Sequence, residues 1–423
     1  MKNSIIYGFL SVLFLLSAAL FTSCNEDTPG KYQMTSGLPT VYFVRYQDKN
    51  LEEQLLTSAT MGSPIVIIGD NLTSVQQVLF NDVPAILNIN MITKNTLFVT
   101  VPNALPNVNT NKIYFVNANK DTLAYDFTVN IAPPVYSRIK CEWVPEGGNV
   151  VILGSSFYAN DASNLKILVG DYLVPTADIV SFEPSQVVFK APPAEISGPV
   201  EVRTLFGTTG RSKDIFRDSR GWITGFEDSE NGGTGFVAGW GRPTRIENDP
   251  ALSLMGKYVK LTAPLDPGSN PSFISGGNDM TINIWSRDNT SNPNSGIPNP
   301  MFPSDPKTST LKFEVNVIQA WSSCPMIFAF DNANGNENYL WADGTQPRGF
   351  WVPWLLSGSY ISDGWETVAI PLSEMIYNGS RVAVPAATEF GQLGISIHNR
   401  GYASYGGTAC TPVILVDNIR VVP

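Results

Sequence analysis

The sequence predicts an all-β chain: two small tandem sandwiches followed by a larger jelly-roll sandwich. Three observations carry that expectation. Only 15 % of the 423 residues are charged, yet 35 are Gly and 31 are Pro. So many turn formers suit short strands joined by tight loops rather than long helices. A pattern in the first half of the chain recurs once. The last two hundred residues alternate apolar and polar positions along strand-length runs, and they hold eight of the nine tryptophans. A chain of this length has room for two to four domains, each with its own core.

The N-terminus reads as an address. Lys2 and the apolar run from Ile5 to Phe21 have the form of a secretory signal over residues 1–23. The run is short for a membrane-spanning helix. It ends in Leu20-Phe21-Thr22-Ser23-Cys24, which resembles a bacterial lipobox, where small residues precede a cysteine that is acylated and becomes the mature N-terminus. The resemblance implies lipidation at Cys24; a plain signal peptide or a single membrane anchor is the competing reading. Asn25-Glu26-Asp27 resembles the acidic export signal of Bacteroidetes surface lipoproteins. That implies a protein lipid-anchored in the outer membrane and facing the extracellular side. Residues 24–39 read as a flexible tether.

The repeat occupies residues 40–132 and 133–217. In the first copy, Pro64-Ile65-Val66-Ile67-Ile68-Gly69-Asp70 leads to Val78-Leu79-Phe80-Asn81-Asp82 and then Thr96-Leu97-Phe98-Val99-Thr100-Val101-Pro102. In the second, Asn149-Val150-Val151-Ile152-Leu153-Gly154 leads to Ile167-Leu168-Val169-Gly170-Asp171 and Gln186-Val187-Val188-Phe189-Lys190-Ala191-Pro192. Gly69 and Gly154 lie 85 positions apart, Pro102 and Pro192 90. Short β-branched strands divided by Gly, Asn, Asp and Pro predict an immunoglobulin-like sandwich. Their order resembles IPT/TIG domains. Ile131-Ala132-Pro133-Pro134 marks the boundary, where proline stiffens the joint. Asp70, Asp82, Asp161 and Asp171 are single carboxylates in turns. Both copies therefore read as a stalk, and deleting residues 40–215 is expected to leave any ligand affinity intact.

Residues 218–423 form the third domain. Strands are expected at 258–262, 281–285, 311–318, 326–330, 367–372 and 393–398. Leu311, Phe313, Val315 and Val317 alternate with Lys312, Glu314 and Asn316, the pattern of a half-buried strand with one wet face. Many such strands with long loops between them predict the jelly roll. Trp321, Trp341, Trp351, Trp354 and Trp365 crowd into residues 319–366. A core needs few indoles, since each is large and its N–H must find a partner. The surplus offers flat, rigid faces on which a sugar ring stacks.

Phe226-Glu227-Asp228, Gly364-Trp365-Glu366-Thr367-Val368 and Val416-Asp417-Asn418-Ile419-Arg420-Val421 resemble segments of carbohydrate-binding jelly rolls. Lipobox, immunoglobulin-like copies and jelly roll, in that order, are similar to the SGBP-B family of surface glycan-binding proteins. These are encoded beside SusC/SusD pairs in Bacteroidetes polysaccharide-utilisation loci. The resemblance implies non-catalytic capture of a polysaccharide on exposed aromatics, with xyloglucan or a related β-glucan or hemicellulose as ligand and SusC/SusD-like uptake proteins as partners. Trp285 and Trp321 stand where strands give out and best match the platform tryptophans of xyloglucan-binding relatives. Tyr339 with Trp341, and Trp351 with Trp354, alternate along strand-like runs, so each pair shares a face, either core or platform. Arg287, Asn283, Asn316, Asn338 and Gln346 are candidates for hydroxyl contacts. Trp222 and Trp240 read as plugs of the joint to the stalk, and Trp365 as core.

Several classes are disfavoured. The net charge of −10 argues against nucleic acid, which needs a basic patch, and against an acidic polysaccharide. With His398 as the single histidine, multi-His zinc sites are out, and a Ser–His–Asp triad would need that residue as base. Glycoside hydrolysis needs two facing carboxylates; Glu314, Asp331, Glu337, Asp343 and Glu366 have no spacing that pairs them. A lyase would draw its base from Tyr360 or Tyr377. No cofactor is expected, and a structural Ca²⁺ on Glu227 and Asp417 is the one metal reading. Cys141, Cys324 and Cys410 fit no metal pattern, and a Cys324–Cys410 bridge stays open. The alternatives to a glycan binder are a polysaccharide-degrading surface enzyme, hydrolase or lyase, and a structural adhesin without sugar affinity.

Overall fold

A computed structural model describes residues 33–228, 246–267, 280–285, 308–331, 348–374, 392–399 and 405–423, without the side chains of Asn283, Trp285, Asp331 and Gln392. The fold is all-β; every helical segment among the described residues is a three-residue 3-10 turn. The chain divides into two compact units, 1–132 and 133–423.

In the first unit, Leu55–Leu56, Thr40–Tyr46, Pro64–Asp70 and Thr96–Thr100 form one antiparallel sheet. Val83–Pro84, Val75–Phe80, Lys112–Asn117 and Thr122–Asp126 form the other. Val44, Ile65, Ile67, Phe80, Leu97 and Phe115 close the core between them. The stretch before the first strand is held to this sandwich. Asn71 Nδ2 donates to the carbonyls of Ser36 and Leu38 at 3.0 and 3.2 Å, and Asn117 Nδ2 to that of Gly37 at 3.1 Å. The expected flexible tether thus gives way to fixed chain by Ser36.

The second copy repeats the plan. Val135–Ile139, Asn149–Ser155, Gln186–Lys190 and Ile179–Glu183 face a sheet of Tyr172–Leu173, Lys166–Val169, Gly198–Thr204 and Gly207–Thr208, with Ile215–Phe216 on its edge. The glycine of the repeat has a steric cause. A Cβ on Gly69 would stand 2.0 Å from the Thr40 carbonyl oxygen, and one on Gly154 2.1 Å from that of Val135. In both copies the first strand bulges just beyond that contact, between Val41 and Phe43 and between Tyr136 and Arg138. Only glycine lets the backbones approach this closely.

The C-terminal domain is a sandwich of two sheets. The larger runs Ile246–Glu247, Tyr258–Leu261, Val413–Val422, Thr310–Gln319, Glu366–Pro371, with Trp222–Thr224 also paired to Val413–Val422. The smaller runs Thr281–Trp285, Gln392–Ile397, Met326–Asp331, Arg348–Trp351. Leu311, Phe313, Val315, Val317, Val416 and Val421 of the first meet Ile282, Ile284, Phe328, Phe330, Leu393 and Ile395 of the second in one core. The rings of Phe313 and Phe328 touch across the gap at 5.2 Å.

One expectation is overturned here. The face carrying Lys312, Glu314 and Asn316 is not wet: these residues are 6, 0 and 7 % exposed. The second immunoglobulin-like copy lies against it. Lys312 Nζ donates to Glu142 and to Asp214, and the Arg420 guanidinium, on the neighbouring strand, spans Glu314 and Glu142 at 2.7–3.0 Å. Asn316, a candidate for sugar contact, instead accepts from the Ser362 hydroxyl at 3.1 Å. Trp222 does fill the joint, its ring 4.9 Å from that of Trp143; Trp240 lies outside the described residues. Trp365 is half-buried in the same joint, its Nε1–H on the Leu252 carbonyl at 2.9 Å, rather than inside the sandwich core. Cys141, Cys324 and Cys410 are all free thiols, so the possible Cys324–Cys410 bridge is not formed.

Candidate functional site

The smaller sheet of the C-terminal domain sorts the aromatic residues by position. Its inner face is apolar, set by Ile282, Ile284, Met326, Phe328, Phe330, Leu393 and Ile395. Strand alternation puts the intervening positions on the opposite face. The register aligns these in three rows: Thr281–Ser396–Ile327–Phe350, then Asn283–Gly394–Ala329–Arg348, then Trp285–Gln392–Asp331. The first two rows are floor. Thr281, Ile327, Ala329, Arg348 and Ser396 are buried, and the Thr281 and Ser396 hydroxyls bond at 3.1 Å. Phe350 and Tyr405, both half-buried, stack at 5.4 Å along one side.

The third row is where the strands end. Trp285 closes its strand, Asp331 closes another, and Gln392 opens the one between them. Residues 286–307, 332–347 and 375–391 therefore all connect at this one end of the sheet. Arg287, Tyr339, Trp341, Asn338 and Gln346 lie in those connections, outside the described residues. Chain topology thus gathers an indole, an amide and a carboxylate position into one row. It attaches to that row the segments holding the remaining candidates. An indole face, amides, carboxylates and guanidinium groups are the chemistry that takes a sugar, stacking on its C–H face and bonding its hydroxyls.

The other aromatics gather at the opposite end and belong to the core. Trp321 has no exposed surface, and its Nε1–H reaches the carbonyls of Ser323 and Cys324 at 2.6 and 3.1 Å. Trp354 is 2 % exposed and donates to the Cys324 carbonyl at 3.3 Å. Trp351, half-buried, packs edge-on against Trp321, Phe313 and Tyr360 at 5.5–6.1 Å. Trp321 and Trp354, expected as platform candidates, are corrected to core indoles, and Trp351 joins the same cluster. The serines after Trp321 resemble a loop, but backbone bridges tie them to the 407–408 segment. There a Cβ on Gly407 would meet the Ser322 carbonyl at 2.2 Å. Phe350, Tyr405, Arg348 and Gln392 were not among the candidates; the alternation Arg348-Gly349-Phe350-Trp351 was the signal for the first and third.

Residues 216–423 match the family described as the surface glycan-binding protein B xyloglucan binding domain. The surface glycan-binding protein PbSGBP-B from Prevotella bryantii is 29 % identical; the match covers 92 % of this chain and all of that one, with a TM-score of 0.62. This chain's C-terminal domain belongs to the SGBP-B xyloglucan-binding family. A further relative of this chain is an IPT/TIG domain-containing protein of Bacteroides ovatus, 25 % identical over 155 residues. That match spans 36 % of this chain and 30 % of the relative's length. An SGBP-B from a complex xyloglucan utilization locus in Bacteroides uniformis aligns at 16 % identity and a TM-score of 0.44.

Among the described residues, the acid–base candidates do not face one another. Glu314 is enclosed by Arg420 and Thr367, with burial pushing its carboxyl up and Arg420 pulling it back down. Glu366, also raised by burial, lies in the joint to the second copy beside Arg138 at 3.8 Å. His398 is fully buried, and Tyr360 is part of the indole cluster. Glu337, Asp343, Tyr377 and the Asp331 side chain lie outside the described residues. Glu227 accepts from the Lys257 backbone N–H at 2.7 Å and Asp417 from that of Asn418 at 2.8 Å. Among the described residues no group of three or more acidic, His or Cys side chains is placed to hold a metal.

Proposed function

We propose that this chain is a non-catalytic, lipid-anchored surface protein that captures a neutral plant polysaccharide, xyloglucan or a related β-glucan or hemicellulose. Anchored at Cys24 on the outer face of the outer membrane, it presents the glycan to a SusC/SusD-type uptake system. The observation that carries the reading is the convergence of Trp285, Gln392 and Asp331 at one sheet end, within the domain matched by the xyloglucan-binding family. Trp285 and Trp341 serve as stacking platforms, and Tyr339 and Arg287 as further ligand contacts. Stacking plus a few hydrogen bonds gives micromolar to millimolar affinity, about −8 to −4 kcal/mol. Many anchored copies along one polymer raise the effective strength by avidity.

Native affinity electrophoresis of the mature chain against a polysaccharide panel tests this. A neutral β-glucan or hemicellulose should retard the protein, and Trp285→Ala or Trp341→Ala should abolish retardation. No retardation by any glycan would sink the reading. Release of reducing ends or unsaturated products from the retarding glycan would overturn the non-catalytic part.

A further inference from the structure

We infer that the second immunoglobulin-like copy is a folding partner of the C-terminal sandwich, the two forming one cooperative unit closed by a buried ion network. The inference is independent of what the sandwich binds.

The network begins with a conflict inside the larger sheet. Lys312 and Arg420 are register partners on adjacent strands and point to the same outer face. Of that face's carboxylates, Glu314 bonds Arg420. The second copy supplies the rest: Glu142 takes Lys312 on one oxygen and Arg420 on the other, and Asp214 takes Lys312 at 3.1 Å. Tyr136 then donates its hydroxyl to the second Asp214 oxygen at 2.7 Å. Glu142, Glu314, Lys312 and Arg420 are each no more than 6 % exposed. Charges so deeply buried are tolerated only when every partner is present.

Two other kinds of contact cross the same joint. Glu366–Pro371 is the edge strand of the larger sheet, and the Thr367 N–H is taken by the Lys140 carbonyl at 2.8 Å. The Thr367 hydroxyl accepts from the Glu142 N–H at 2.7 Å and donates to Glu314 at 2.8 Å, linking backbone and ion network. Such pairing covers an edge that would otherwise be open. Beside it, Trp143 packs at a tilt against Trp222, while Leu254 and Trp365 pack onto the core of the second copy. Tyr258 and Leu415 lie under Trp365 and Leu252 on the same outer face. Without the second copy this face would present Lys312 without its carboxylates and bare apolar surface together.

Tryptophan fluorescence reads the C-terminal sandwich in the intact mature chain, since eight of the nine tryptophans lie at or after Trp222 and the first copy has none. Phe189→Ala removes a fully buried ring from the second copy's core. It should lower the thermal midpoint of the tryptophan transition by about 5–10 °C. Phe189→Leu, which keeps most of the volume, should produce a smaller shift of the same transition. Glu142→Gln, which leaves both cores untouched, should lower that midpoint too. A tryptophan transition that stays at the wild-type midpoint, with a separate earlier transition in calorimetry, would show two independent domains and overturn the inference.

Discussion

Single residues divide into those that hold the fold and those proposed to meet the ligand. Trp321 and Trp285 look alike in the sequence, each at the end of a strand beside serine. Trp321 is enclosed and its N–H is satisfied, so Trp321→Ala should cost about 3–5 kcal/mol of stability. Trp285→Ala should leave the urea midpoint almost unchanged while removing glycan retardation. Paired unfolding and electrophoresis measurements separate the two, and the reverse pattern would contradict the assignment. Sequence could not make the distinction, because Trp321 is sealed by the 405–410 segment more than 80 residues away. The repeat glycines were legible. Gly154→Ala would force a Cβ to within 2.1 Å of the Val135 carbonyl and should destabilise by about 1–3 kcal/mol or more in a urea titration.

At the scale of elements, the strand Thr310–Gln319 shows how far a pattern can be read. Its alternation correctly gave the inner face, since Leu311, Phe313, Val315 and Val317 all reach the core. The outer face misled because its partners are remote: Lys312 meets Asp214 98 positions upstream, and Arg420 meets Glu142 across 278. A polar residue predicts water only where no other domain supplies its counter-charge. Arg420→Met would leave Glu314 buried without its cation and Glu142 with Lys312 alone, a cost of about 3–5 kcal/mol. Chemical denaturation of the variant measures it, and a loss under ~1 kcal/mol would mean the network is as weak as an exposed pair. The three rows of the smaller sheet were also illegible in advance. Their alignment depends on pairing Trp285 with Gln392, 107 residues on.

For the whole molecule, the division into 1–132 and 133–423 changes what counts as the binding part. Sequence read three domains and placed the functional cut near residue 218, but the ion network and edge pairing cross that boundary. A piece beginning at 133 should therefore retain the affinity of the mature chain within about twofold, whereas one beginning at 218 should fail to fold. The stability of the larger unit should also depend on pH. Burial pushes Asp218 up, but its bonds to Arg220 more than offset this and leave the carboxyl below its usual range. Glu201 is lowered by Arg203 and Thr208. A carboxyl lowered in the folded state stabilises above its unfolded value, near 4, and that stability is lost as pH falls through the folded value. Thermal midpoints of the 133–423 piece should thus drop steeply below about pH 4. Asp218→Asn should flatten that decline, because the variant has no proton to take up there. An unchanged slope in the variant would assign the acid sensitivity to other groups.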